Sequence, residues 1–192
     1  MLEPKERLLT FRAEGNNFRG SRYYSRKIHW PGNSPACGKN ASGVTIGRGF
    51  DLGNRTKTEV FQYLIRAGVH SEQAGKIAEG AGLTHCRAAE FVKNNKESTG
   101  EITEIQQLRL FQIIWSEYFN NASDFYHRRK MPGSLPWDKL APEIKEVFVD
   151  IFYQGRMTID RVNFFTNNDK NAIIKLIRSN SLFTDDEVEG NE

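Results

Sequence analysis

The eleven residues from Gly43 to Gly53, GVTIGRGFDLG, constrain this chain more than any other stretch. Val44, Ile46, Phe50 and Leu52 alternate with Thr45, Gly47, Gly49 and Asp51, the period-two pattern of a strand with one core face and one open polar face. Run straight, the segment would hold Thr45 and Asp51 roughly 20 Å apart, at about 3.3 Å per residue. A turn at Gly47-Arg48-Gly49, where glycine accepts positive φ, instead pairs Ile46 with Phe50, Thr45 with Asp51 and Val44 with Leu52. Directly opposed residues share a face about 5 Å apart, so a hydroxyl is predicted beside a carboxylate on a surface cleared by glycines. The competing reading is a plain surface hairpin with a solvated Asp51.

The surroundings favour chemistry. Between Gly15 and Phe50 the chain carries Arg19, Arg22, Arg26, Lys27, Lys39 and Arg48 but no acidic residue, so the nearest carboxylate upstream of Asp51 is Glu14. Residues 3 to 14 read as a first helix, with Glu3, Pro4 and Glu6 in its early turns, Leu8, Leu9 and Phe11 for the core, and Gly15 as its stop. A carboxylate at a helix C-terminus faces the negative end of the macrodipole, which pushes its pKa upward, as suits a general acid. Two carboxylates bracketing a basic, aromatic lobe are the minimum equipment for glycosidic cleavage.

Residues 16 to 55 lack helical periodicity and read as a small antiparallel sheet with loops. Tyr23, Tyr24 and Trp30, interleaved with Arg22, Arg26 and Lys27, suit stacking on sugars or bases and equally the packing of a small lobe. From Thr56 onward the chain is helical. Thr56 with Glu59 forms a capping box, with Gly68 as the stop; 71 to 78 and 84 to 92 are short helices, and 93 to 100 is a loop. Thr103 and Gln106 open the longest pattern, through Phe119, followed by the basic run His127 to Lys130. Pro142 opens a helix ended by Gly155, and 158 to 166 and 168 to 180 complete an α+β chain. The acidic segment 181 to 192 is expected to be a mobile tail.

With 192 residues and a formal net charge of +3, one soluble domain is expected, mildly attracted to anionic surfaces. Cys37 and Cys86 show no CxxC spacing, so neither a disulfide framework nor a zinc site is indicated. The scattered histidines His29, His70, His85 and His127 give no metal motif, no GxSxG supports a serine triad, and no phosphate-binding glycine loop occurs, so no metal or cofactor is expected. The opening MLEPKERLLT has no secretory apolar run, and no segment has the length of a membrane span.

Ala13-Glu14-Gly15 at the end of a short helix, followed by Thr45-Ile46-Gly47-Arg48-Gly49, resembles the phage-type lysozymes. Thr45 to Gly53 is closest to the TIGxGxDLG motif of the branch typified by the toxin pesticin, with Phe50 at a position usually held by Tyr. The resemblance implies a lysozyme-like fold in a single domain over 1–180, with a small β lobe at about 16–55, a larger helical lobe of 1–15 and 56–180, and a cleft between them. It implies a muramidase cutting between N-acetylmuramic acid and N-acetylglucosamine. Glu14 would be the general acid, Asp51 the second carboxylate, and Thr45 the holder of water or the support of Asp51. In many phage enzymes the aspartate precedes the threonine, but here Asp51 is the available candidate. Gln154, in Tyr153-Gln154-Gly155, is similar to the amide-bearing helix end facing the cleft, and Tyr24, Trp30 and Arg48 are expected to bind substrate. The partners implied are peptidoglycan strands and, for an antibacterial effector, bacteriocin or phage lytic domain, an immunity protein occluding the cleft. A monomer is expected, made in the cytoplasm without a signal peptide and acting on the cell wall after delivery or release. The competing functions are a lytic transglycosylase, an inactive glycan-binding module, and a nucleic-acid-binding domain.

Overall fold

The computed structural model describes residues 2–4 and 8–179. It is a mixed α and β chain, mainly helical, with one two-stranded antiparallel sheet among the described residues. The chain divides into two compact units, Met1–Ile114 and Trp115–Glu192, so the hairpin groups with the helices that follow it and the division falls inside the longest helix, away from residue 55. The expected acidic tail at 181–192 and Glu6 lie outside the described residues.

Among the described residues of the first unit, α1 covers Leu8–Ala13, while Glu3, Pro4 and Glu14, expected within the helix, lie outside it. The Glu3 carboxylate accepts two 2.9 Å hydrogen bonds from the Arg12 guanidinium, so it braces the helix from outside its first turn. Strands β1 (Thr45–Ile46) and β2 (Phe50–Asp51) pair antiparallel with Thr45 opposite Asp51 and Ile46 opposite Phe50, the expected register. Gly47 and Gly49 adopt φ of 65° and 77°, which lets three residues reverse the chain. Val44, Ile46, Phe50 and Leu52 are all buried. The small sheet is extended by single bridges, His29 with Thr45 and Gly43 with Thr84.

Helix α2 (Lys57–Arg66) starts with the predicted capping box, Thr56 and Glu59 bonding reciprocally, and packs on α3 (Ser71–Ala78). Helix α4 (His85–Asn95) runs three residues past its expected end. A disulfide joins Cys37, in a 3-10 helix at Ser34–Lys39, to Cys86 in the first turn of α4. No spacing rule indicated that pairing, because it depends on a contact between segments 49 residues apart.

Helix α5 (Glu104–Arg129) carries the unit boundary and continues ten residues beyond the predicted stripe. Ala122 and Tyr126, seven and eleven residues after Trp115, keep the buried face going, so the basic run is its exposed last turn, where cations suit the helix dipole. In the second unit, α6 (Pro142–Tyr153) has proline in its first turn, and α7 (Ile159–Val162) and α8 (Lys170–Arg178) follow. Its core is a ring cluster: Phe148 meets Tyr126, Trp137 and Phe165 edge-on at centroid distances of 5.7, 5.3 and 5.1 Å. Among the described residues no helix is long and apolar enough to cross a membrane.

Candidate active site

Glu14 follows the last residue of α1, and its backbone N–H donates to the Thr10 carbonyl at 3.0 Å, closing the helix. Its side chain is half-buried. The next residue, Gly15, is clamped to the hairpin tip, because the Arg48 guanidinium donates to its carbonyl. A second tie runs alongside: the Gly47 N–H donates to Ser25 O at 2.7 Å, and the Ser25 N–H donates to Asn16 O at 2.9 Å. The helix end carrying Glu14 and the hairpin carrying Thr45 and Asp51 are therefore one hydrogen-bonded body.

Arg48 corrects an expectation. The resemblance places it at substrate, yet it is 2% exposed, with its guanidinium carbon 4.5 Å over the Phe11 ring. Burial lowers its pKa to about 10, against the opposing effect of the Glu3 charge. It is a structural strut, because a cation that the backbone and a ring enclose is removed from the surface a glycan would meet.

Tyr24 and Trp30 are corrected in the same way, at 2% and 6% exposed. The Tyr24 hydroxyl donates to Glu101 Oε1 at 2.7 Å and accepts from Arg26 Nε at 2.9 Å; the Trp30 indole N–H donates to Ser42 O at 2.9 Å. Both rings pack inside the first unit, the alternative role that their spacing allows. Gln154 closes α6 in the second unit and donates to Asp150 Oδ2 at 3.3 Å.

Asp51 is exposed, but its carboxylate is held. Oδ1 accepts from the Gly53 N–H at 2.6 Å and Oδ2 from the Gly43 N–H at 3.1 Å. A Cβ on Gly43 would sit 2.1 Å from Asp51 Oδ1 and 2.5 Å from Gly53 N, so only glycine lets the carboxylate lie this close to the backbone. Two accepted bonds leave lone pairs on both oxygens for a further donor. Thr45 is buried, contrary to the fully open polar face expected of it, because His29 pairs with it on its other side. Its hydroxyl donates to Gly43 O at 3.3 Å.

His29 is the residue that sequence reasoning missed. It exchanges two 2.8 Å backbone hydrogen bonds with Thr45, while Thr45 opposes Asp51, so His29, Thr45 and Asp51 form one lateral row on a shared face. The imidazole is buried with Nδ1 3.2 Å from Lys27 O. Burial lowers its pKa to about 4; the Lys27 carbonyl and the Asp51 charge pull upward and Lys96 downward. A neutral imidazole thus lines the inner end of the row. Only the long-range bridge reveals it, since a lone histidine between Ile28 and Trp30 carries no local signal.

The arrangement offers a carboxyl at a helix end and a second, oriented carboxylate beside a hydroxyl, all in the first unit. No curated protein matches the chain. A family model matches residues 7–188, and the chain belongs to the family described as Domain of unknown function (DUF8812).

Proposed function

We propose that this chain is a peptidoglycan hydrolase of muramidase type with a lysozyme-like fold, acting as an antibacterial effector, bacteriocin or phage lytic domain. The observation that carries the reading is the clamp of Arg48 on the Gly15 carbonyl, which ties the backbone just after Glu14 to the hairpin bearing Thr45 and Asp51. Glu14 is the general acid, giving its proton to the leaving glycosidic oxygen. A water donating one hydrogen to Asp51 and the other to Thr45 Oγ1 keeps a lone pair for the sugar carbon; as its bond to that carbon forms, the glycosidic C–O bond breaks and Asp51 takes the water's proton. The Thr45 hydroxyl hydrogen already points to Gly43 O, which leaves its oxygen free to accept. If the water route operates, the carboxyls stand roughly 6.5 to 9.5 Å apart and the product is inverted; a covalent route requires about 5 Å. Of the basic residues between Gly15 and Phe50, Arg48 is buried and Arg26 and Lys27 pair with Glu101 and Glu97, so the exposed Arg19 is the one that best suits the polymer's peptide carboxylates. An immunity protein covering the site is the partner expected of such an effector.

One observation favours a second reading. Asp51 already serves the Gly43 and Gly53 N–H groups, as a purely structural aspartate would, and a lytic transglycosylase needs the acid alone. The experiment is digestion of purified peptidoglycan by the native chain, Glu14→Gln and Asp51→Asn, with the released fragments weighed. A muramidase gives reducing ends and loses activity in both variants. Anhydro ends, with Asp51→Asn still active, select the transglycosylase. Native-rate cleavage by both variants defeats the site assignment.

A further inference from the structure

Burial of Tyr24 and Trp30 removes the rings expected to stack on sugar, and the same loop exposes two others. Phe18 is 73% and Tyr23 39% exposed, on the segment that directly follows Glu14 and Gly15. Exposed rings on a slack loop would carry little meaning, but this loop is tied at several points. Its ends are joined by the bridge between Asn16 and Tyr24. The Phe18 N–H donates to Asn16 Oδ1 at 3.0 Å, the Ser21 N–H to Phe18 O at 3.0 Å, and the Tyr23 N–H to Ser21 Oγ at 3.1 Å. From α5, Gln107 Nε2 donates to Asn17 Oδ1 at 3.0 Å.

Each ring is also seated. A Cβ on Gly20 would lie 3.2 Å from Phe18 Cε1, so the ring rests on bare backbone. The Arg22 guanidinium carbon stands 4.8 Å over the Tyr23 ring, and Nη2 of the same group donates to Gly32 O. The chain therefore holds two large apolar faces in water, where burial would ordinarily be favourable. Arg19, whose side chain is 77% exposed, lies 3.5 Å from Glu101, but that one carboxylate is shared with Arg26 at 2.7 Å, so positive charge remains beside the rings.

We propose that Phe18 and Tyr23 form the sugar-stacking platform of this protein, taking the apolar faces of consecutive pyranose rings of a peptidoglycan strand, with Arg19 and Arg22 facing carboxylates of the same polymer. The proposal rests on the muramidase reading and names where that substrate is gripped. A pre-seated ring loses little rotamer freedom on binding, and guanidinium groups suit carboxylates.

The test is co-sedimentation with purified peptidoglycan, using Glu14→Gln protein so that the polymer is not consumed. On that background, Phe18→Ala with Tyr23→Ala lowers affinity about tenfold or more, since both stacking faces are lost together. Phe18→Trp and Tyr23→Phe retain binding. Because both side chains project outward, the denaturation midpoint stays at the native value, which separates lost binding from lost fold. Arg19→Gln weakens binding to peptidoglycan but not to chitin, an uncharged polymer of N-acetylglucosamine. Native-level sedimentation of the double alanine protein overturns the platform while leaving the muramidase reading intact; that is also the result if the rings serve a protein partner. Failure of the native chain either to bind or to cleave peptidoglycan ends both.

Discussion

The segment around the hairpin and the core of the second unit are held by different forces. Around the hairpin, Tyr24, Trp30, Arg48 and Asp51 each reach a polar partner, and much of the segment has no regular secondary structure. In the second unit, Tyr126, Trp137, Phe148 and Phe165 meet ring to ring. A typical internal hydrogen bond contributes about 0.5–1.5 kcal/mol net but fixes direction, whereas a buried ring contributes more and fixes little at a distance. The first region should therefore set activity and the second stability.

The largest effect is expected where rings converge. Phe148→Ala removes a fully buried ring with three edge-on neighbours and should cost about 3–5 kcal/mol, read from the denaturant midpoint. Under the proposed muramidase activity, peptidoglycan cleavage per folded molecule should stay at the native rate. A loss of less than about 1 kcal/mol would mean that the cluster does not anchor its unit.

Next is the disulfide, which is the covalent exception on the hairpin side. It closes a separation of 49 residues, so Cys37→Ser with Cys86→Ser should lower stability by about 2–4 kcal/mol. Reductant added to the native protein should bring its midpoint to that of the double variant and leave the variant unmoved. Equal midpoints for native protein with and without reductant would contradict it.

Buried His29 makes the same region sensitive to acid. Its folded pKa near 4 lies below the ordinary value of 6.5, so between those limits the unfolded chain binds more protons. The neutral side chain's contribution is fully present above pH 6.5 and is lost as pH falls through 4. Integrated over that window it amounts to at most about 3 kcal/mol. Unfolding midpoints measured from pH 7 to 4 should fall more steeply for the native protein than for His29→Asn, which keeps a polar group toward the Lys27 carbonyl. Parallel curves would mean that His29 is hydrated and titrates normally.

The two regions also differed in how far they could be read beforehand. Period-two alternation around Gly47 and Gly49 gave the hairpin and its register, because pairing across a three-residue turn is local. The capping box at Thr56, proline at 142 and glycine at 155 marked helix ends for equally local reasons. The burial of Arg48, Tyr24 and Trp30 was not legible, since Arg48 meets Phe11 and Gly15, Tyr24 meets Glu101, and Trp30 meets Ser42, all through tertiary contacts. The same holds for His29 and for Cys37 with Cys86. Glu14, Thr45 and Asp51 could be singled out by residue type, but the clamp that joins helix to hairpin could not.

The smallest stability change should accompany the most telling loss of activity. Thr45→Val keeps the branched shape and removes one hydroxyl whose bond to Gly43 O is already long at 3.3 Å, so the expected cost is about 1 kcal/mol or less. In the proposed mechanism that oxygen holds the attacking water, and its removal should lower kcat strongly while KM for peptidoglycan fragments stays near native. Thr45→Ser retains the oxygen and should recover most of the rate. Because the row from His29 to Asp51 passes through the Thr45 backbone, the fold does not need the hydroxyl to hold the row together. Full activity in Thr45→Val would therefore reduce the row to scaffold and leave Glu14 as the acid working alone.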